Sequence, residues 1–121
     1  MNVEQFREYC LSLDHVIEYF PFDEVTLVFK VGGTEGKIFD LLPLDAEPAS
    51  DNLKCNPEKA IELRESYPQI IPGFHMNKKH WNTVYIDDGL NHKLLKELID
   101  HSYDLVYKSL TKKLRESLEK Q

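Results

Sequence analysis

One stretch of the N-terminal half constrains the fold most, because it has the period of a β-strand. In EVTLVFKV, residues 24–31, the apolar residues Val25, Leu27, Phe29 and Val31 occupy alternate positions. This alternation predicts a strand with one apolar face. The segment GGTEG supplies a glycine-rich turn, and KIFDLLPL, residues 37–44, returns as a second run of strand composition. The sequence therefore predicts a β-hairpin here.

Helix signals flank this hairpin on both sides. Residues 2–13 have an apolar face at helical spacing, and Asn2 with Gln5 has the arrangement of a capping box. A second helix is expected to start at Asn56 and Pro57 and to end before Pro68. The longest predicted helix covers residues 91–110, which contain a leucine-rich stripe, and TKKLRESLEKQ predicts a short last helix.

Three more segments have strand composition: NLKC, QIIPGFHM and WNTVYID. Strands and helices are thus interspersed along a chain of 121 residues, a length that suits one hydrophobic core. The expectation is an α+β fold in a single domain, residues 1–121. The composition, 41% hydrophobic and 30% charged, is that of an ordered globular protein.

The net charge of −6 is unevenly distributed. Residues 1–65 contain six basic and fourteen acidic residues, whereas the remainder contains nine basic and seven acidic residues. A local basic surface can attract phosphate even on an acidic protein, because distant charges are screened by salt. The alternative is an ordinary mixed surface.

The cysteines and the hydropathy pattern bear on location. Cys10 and Cys55 lack CxxC spacing and have apolar neighbours, so two buried free thiols in a reduced, cytoplasmic protein are expected. The N-terminus has no signal-peptide pattern, and no apolar run approaches the roughly 18 residues that a membrane span requires. We therefore expect no membrane insertion.

Motifs for catalysis, metal binding and nucleotide binding are missing from the sequence. The five histidines do not form a ligand set, and neither GxxxxGK[ST] nor GxGxxG occurs. A nucleophile at Cys55 with His75 or His80 as base would lack a third group to orient the base. The six tyrosines are expected to be half-buried packing residues rather than a base-stacking platform. The sequence predicts no catalytic residue, no metal site and no cofactor.

The segment GFHMNKKHWNTVY, residues 73–85, is where lysine, histidine and tryptophan concentrate. Asn77, Lys78, Lys79 and His80 lie between two runs of strand composition, so a turn or wing is expected there. The basic side chains would then be at the tip of a loop.

The chain resembles the MmcQ/YjbR family of small bacterial proteins. The resemblance rests on residues 54–87, which include MNKKHWNTV, and on LLKELIDHSYDLVYKSL, residues 94–110. It implies an antiparallel sheet flanked by an N-terminal, a middle and a long C-terminal helix, with a shape related to double-wing and frataxin-like folds. It also implies DNA binding without enzymatic activity or a cofactor, with the family motif at Met76, Asn77, Lys78, Lys79, His80 and Trp81.

The functional hypothesis is therefore DNA binding that is sensitive to salt. Lys78 and Lys79 would pair with phosphates, His80 would donate to a phosphate, and Trp81 would stack on a sugar or base. The stretch KSLTKKLR would add secondary contacts. The acidity of the chain opposes this hypothesis.

Two alternatives stay open. In the first, Trp81 completes the core with Val84 and Ile86, and the lysines only keep the loop solvated and an edge strand from pairing. In the second, the domain is a protein-interaction or oligomerisation module that uses its sheet or the exposed side of its last helix. An enzyme is the third-ranked class.

Overall fold

The computed structural model of the protein describes residues 1–120, which contain one antiparallel sheet and four α-helices. The helices are α1 (Val3–Ser12), α2 (Pro57–Ser66), α3 (His92–Ser109) and α4 (Lys112–Glu119). The strands are β1 (Val16–Tyr19), β2 (Thr26–Val31), β3 (Lys37–Pro43), β4 (Ser50–Lys54), β5 (Ile70–Pro72) and β6 (Trp81–Tyr85). A single 3-10 turn, Gly33–Glu35, connects β2 to β3. The predicted α+β class is confirmed.

The six strands are arranged in the order β1-β2-β3-β4-β6-β5, and every neighbouring pair is antiparallel. Helix α3 packs across β2, β3 and β4, while α1 contacts β1 and α2 contacts β5. The opposite side of the sheet, here called the open face, has a cavity whose lining includes no helix residue. The flanking helices predicted from the family resemblance are present.

The core lies between the sheet and α3. Leu27, Phe29 and Val31 of β2 are buried there, as their alternation predicts, whereas Val25 precedes the strand and is exposed. The ring of Phe39 meets that of Tyr103 edge-on, with 5.6 Å between the centroids. Such edge-to-face packing is a favoured geometry for aromatic pairs.

The predicted helix starts are confirmed by their caps. The Asn2 side chain accepts a hydrogen bond from the Gln5 N–H at 2.8 Å, and the Gln5 side chain accepts one from the Asn2 N–H at 3.0 Å, which completes the capping box. Asn56 caps α2 and Asn91 caps α3 through their side-chain oxygens. These side chains satisfy N–H groups that have no partner within the helix.

Two strand predictions need correction. β1 was not expected; it is a four-residue edge strand in which every residue is half-buried, so its burial does not alternate. The predicted strand QIIPGFHM is limited to Ile70–Pro72, and residues 73–80 form a loop, here called the β5–β6 loop. The last backbone hydrogen bond between this segment and β6 runs from the Gly73 N–H to the Trp81 carbonyl. The next N–H, that of Phe74, donates to the side-chain hydroxyl of Thr83 and not to a backbone carbonyl of β6, so the strand ends here.

The packing residues behave largely as predicted. All six tyrosines are half-buried, and Cys10 and Cys55 are free and buried. Two carboxyl groups, however, are fully buried on the helix side of the sheet: Asp40 on β3 and Asp51 on β4. The Cys10 thiol donates to the Asp40 carboxyl at 3.2 Å. Acidic residues are almost never fully buried unless they have a partner, so the sequence gives no sign of this pair.

Candidate nucleic-acid interface

The five predicted contact residues lie at one end of the sheet, on the β5–β6 loop and at the start of β6. The side chains of Asn77, Lys78 and Lys79 are exposed, whereas His80 and Trp81 are half-buried. The prediction that the lysine pair occupies an exposed loop is confirmed.

Asn77 shapes the loop. Its side-chain oxygen accepts a hydrogen bond from the Lys79 N–H at 3.0 Å. Its carbonyl oxygen accepts bonds from the N–H groups of His80 at 3.2 Å and Trp81 at 2.9 Å. Asparagine commonly closes turns in this way, because its short side chain reaches nearby backbone donors. Asn77 therefore positions the lysines.

Arg64 of α2 attaches this loop to the body of the protein. Its Nε donates to the Asn82 side chain at 2.6 Å, and its guanidinium also donates to the carbonyls of Lys78 and Trp81. The planar guanidinium presents several donors in a fixed geometry, which suits this kind of multiple contact. Sequence reasoning missed Arg64, because only the antiparallel pairing of β6 with its neighbours brings the loop beside α2.

The two lysines differ in their surroundings. The Lys78 ammonium donates to the Gly73 carbonyl at 3.2 Å, which holds it at the base of the loop. The side chain of Lys79 makes no hydrogen bond or ion pair within residues 1–120. Lys79 can therefore meet an anion without giving up an existing contact.

Trp81 belongs to the open face. It pairs with Lys54 on β4. Asn52 and Thr83, each two residues away on its strand, form another pair. The side chains of Asn52 and Thr83 are hydrogen-bonded to each other, so Trp81 points to their side of the pleated sheet. Val84 lies on the other face, in the core. The alternative that Trp81 completes the core with Val84 and Ile86 is wrong.

Further cations surround the loop. We define the basic end as Lys54, Lys59, Lys78, Lys79, His80 and Lys108. Lys54 and His80 line one cavity of about 340 Å³ together with Cys55 and the start of α2. Lys59 and Lys108 both lie close enough to His101 to influence its titration. Of these residues only Lys108 belongs to the predicted secondary stretch KSLTKKLR.

The ion pairs of the protein lie elsewhere. Within residues 1–120, the carboxylate pairs involve only the Met1 N-terminus with Asp87, Arg7 with Glu18, and Lys112 with Glu116. The five lysines of the basic end therefore have no carboxylate within 4.0 Å in that part of the chain. Unpaired cations are available to an anionic ligand.

Two titratable groups beside the basic end are neutral in the fold. Burial lowers the pKa of His101, and nearby Lys59 lowers it further. Its Nε2 accepts a hydrogen bond from the Asn56 N–H at 3.2 Å, which requires the unprotonated nitrogen. Burial also raises the pKa of Cys55, which disfavours the thiolate that a nucleophile would need.

Comparison with known proteins identifies the family. The YjbR family model matches residues 11–105. The chain belongs to the YjbR family. This YjbR chain is 39% identical to the uncharacterized protein YbdF of Escherichia coli O157:H7 over 91% of its own length and 88% of that protein. It is 28% identical to the uncharacterized protein YjbR of E. coli K12, over 98% of each chain.

Solved structures support the same assignment. The crystal structure of DR2400 from Deinococcus radiodurans, which contains a DUF419 domain, is 44% identical to this YjbR chain with a TM-score of 0.89. The alignment covers 98% of this chain and 88% of DR2400. A Pseudomonas syringae protein is 29% identical with a TM-score of 0.76, over 88% of this chain and 99% of its own.

Within residues 1–120, no helix is both long and apolar enough to cross a bilayer.

Proposed function

We propose that this protein binds DNA through its basic end and catalyses no reaction. The observation that supports the proposal is that five lysines lie at the same end of the sheet without a carboxylate partner within residues 1–120: Lys54, Lys59, Lys78, Lys79 and Lys108. Lysines that contact phosphates release condensed counterions from DNA, and this release supplies most of the affinity of non-specific binding. His80 would add a hydrogen bond to a phosphate.

The overall charge of −6 does not oppose this proposal as strongly as the sequence alone suggests. Many acidic residues lie at the opposite end of the sheet, in the loops that contain Asp23, Glu24, Asp45 and Glu47 and in the Asp87–Asp88 turn. Those charges are separated from the basic end by the length of a strand, more than the roughly 8 Å over which charges interact at physiological salt. The charges of that distant end therefore act only weakly on DNA at the basic end, where Glu58 of α2 and Asp104 of α3 also lie near the lysines.

The proposal places the protein in the cytoplasm, the compartment of bacterial DNA. The free, buried thiols of Cys10 and Cys55 agree with a reducing compartment. The proposed contacts use lysines and a half-buried histidine, and they require neither a cofactor nor a metal ion.

Salt dependence tests the proposal most directly. A fluorescently labelled duplex is titrated with the protein at several salt concentrations, and the binding constant is plotted against salt on logarithmic axes. Three to four phosphate contacts give a slope of about −3, at roughly −0.9 per contact. Absence of binding at low salt, or binding that does not respond to salt, would contradict the proposal.

A protein-interaction module is the second candidate, and one observation favours it. Phe20 and Phe22 in the loop between β1 and β2 are exposed, which is unusual for two phenylalanines so close together. Sizing of the protein across a range of concentrations distinguishes the two candidates. Self-association that is lost in Phe22→Ala would favour the interaction module.

A further inference from the structure

The open face contains a cavity of about 420 Å³. Leu41, Asn52 and Thr83 form part of its floor, and Phe74, His75 and Met76 of the β5–β6 loop lie along its side. Its volume falls within the range of about 300–1,000 Å³ that is usual for small-molecule sites. No lysine, arginine, aspartate or glutamate lines it. Apart from His75 the lining has no group that would pair with a charge at neutral pH, so the cavity suits an uncharged part of a ligand.

The floor presents hydrogen-bonding groups in a fixed arrangement. The Thr83 hydroxyl donates to the Asn52 side-chain oxygen at 2.7 Å and accepts a bond from the Phe74 N–H at 2.9 Å. These bonds orient the Asn52 amide, whose nitrogen makes only a long bond of 3.4 Å to the Leu41 carbonyl. One N–H of this amide is left for a ligand. The hydroxyls of Ser50 and Tyr85 also line the cavity.

Aromatic rings stand at the side of the cavity. Phe74 is 66% exposed, although its backbone N–H donates to the Thr83 hydroxyl on the floor of the cavity. The His75 ring lies 4.1 Å from the Phe74 ring, centroid to centroid, and His75 has a left-handed φ of 59°. A left-handed histidine costs conformational energy, and such residues are concentrated at binding sites. The His75 ring is tilted by 57° against the Phe74 ring, so the exposed Phe74 ring is the surface on which a flat ligand can stack.

The mouth of the cavity adjoins the basic end. The Lys78 ammonium is held at the carbonyl of Gly73, the residue directly before Phe74. Lys54 lies two residues after Asn52 on β4, on the same face, at a distance of roughly 7 Å along the strand. A ligand that fits this arrangement has an uncharged flat part with hydrogen-bonding edges, joined to an anionic part outside. A nucleotide has this chemistry.

We propose that the cavity receives one unpaired base of a DNA strand whose phosphates lie on Lys54 and Lys78. This inference rests on the proposed function. The base would stack on Phe74 and receive a hydrogen bond from Asn52, while the lysines bind the flanking backbone. Stacking on aromatic side chains discriminates poorly among bases, so the site would select an unpaired base over a paired one rather than a particular sequence.

The test compares two duplexes that differ by one unpaired nucleotide. One is perfectly paired, and the other carries a single bulged 2-aminopurine, whose fluorescence reports on its stacking. We expect the bulged duplex to bind about tenfold more tightly, with a change in 2-aminopurine emission. The variant Phe74→Ala should lose both the preference and the emission change, while its binding to the paired duplex stays the same.

Phe22→Ala is the matched control, because Phe22 is also 66% exposed but does not line the cavity. It should retain the preference for the bulged duplex. Equal, salt-dependent binding of both duplexes without an emission change would overturn the base-binding inference and leave the proposed function standing. If neither duplex binds at low salt, both the inference and the proposed function are overturned.

Discussion

At the scale of single residues, the buried pair Asp40 and Asp51 is the least expected feature of the protein. Three of the four carboxyl oxygens of the pair have no hydrogen-bond partner outside the pair within residues 1–120: Asp40 Oδ1 and both oxygens of Asp51. Burial raises the pKa of Asp40 to about 7 and raises that of Asp51 as well, with the neighbouring Asp40 carboxyl as a further cause. Two like charges cannot both be accommodated there, so the pair holds at least one proton at neutral pH.

This proton makes stability depend on pH. In the unfolded chain both carboxyls ionise near pH 4, whereas in the fold Asp40 keeps its proton to about pH 7 and the pKa of Asp51 is raised well above its usual range. Between these values the folded state binds more protons at this pair, so the contribution of the pair to the free energy of unfolding is greatest at low pH and falls as pH rises through this window. Each unit of raised pKa costs about 1.4 kcal/mol once both states are ionised.

Urea unfolding at pH 5 and pH 8 measures this effect. We expect the protein to be less stable at pH 8, by more than 1 kcal/mol from this pair. Asp51→Asn removes one ionisable group and should make the difference clearly smaller. Asp88→Asn, which removes an exposed carboxylate, is the control and should leave it unchanged. A pH dependence that is the same in all three proteins would mean that the pair does not hold a proton.

At the scale of elements, local signals predicted the helices and the turn at residues 77–80, but they extended the strand before that turn too far. Helix starts depend on neighbouring residues, such as Asn2 with Gln5, and these are visible in the sequence. The loop depends on contacts between distant residues: Phe74 with Thr83, and Arg64 with Asn82. β1 escaped prediction because a half-buried edge strand of four residues has no apolar alternation.

The loop tip can nevertheless be tested by itself. In Lys78→Ala with Lys79→Ala, the free energy of unfolding should change by about 0.5 kcal/mol or less, because both side chains are exposed. The slope of the logarithm of the binding constant against the logarithm of salt concentration should become shallower by up to about two, that is about one for each lost phosphate contact. Anisotropy titrations and thermal melts of the double variant measure both quantities.

Lys93→Ala with Lys96→Ala is the matched control, because it removes two exposed lysines from the first turns of α3 at the opposite end of the molecule. Its salt slope should equal that of the unmodified protein. Equal slopes for all three proteins would move the DNA contact away from this loop, and an unfolded lysine variant would contradict the exposed position of the pair.

At the scale of the whole molecule, the basic end could be predicted only in part. The sequence indicated Lys78, Lys79 and His80, but Lys54 and Lys59 come from the acidic half of the chain. They join the loop because β4 pairs with β6 and because α2 starts at the same end of the sheet. The basic and acidic ends of the molecule are separated by the order of the strands, so the positions of the charges along the chain do not predict this separation.

This separation predicts that the position of a charge matters more than the net charge. Asp45 and Glu47 are exposed in the loop between β3 and β4, at the end of the sheet opposite the basic end. The length of β4, roughly 15 Å at about 3.3 Å per residue, exceeds the screening distance of about 8 Å at 0.15 M salt. Asp45→Asn with Glu47→Gln should therefore change duplex affinity by less than about twofold under those conditions. At 0.01 M salt, where the screening distance is about 30 Å, the same variant should bind more tightly than the unmodified protein. A large gain at 0.15 M salt, measured by anisotropy, would mean that DNA approaches the acidic end or that net charge governs binding.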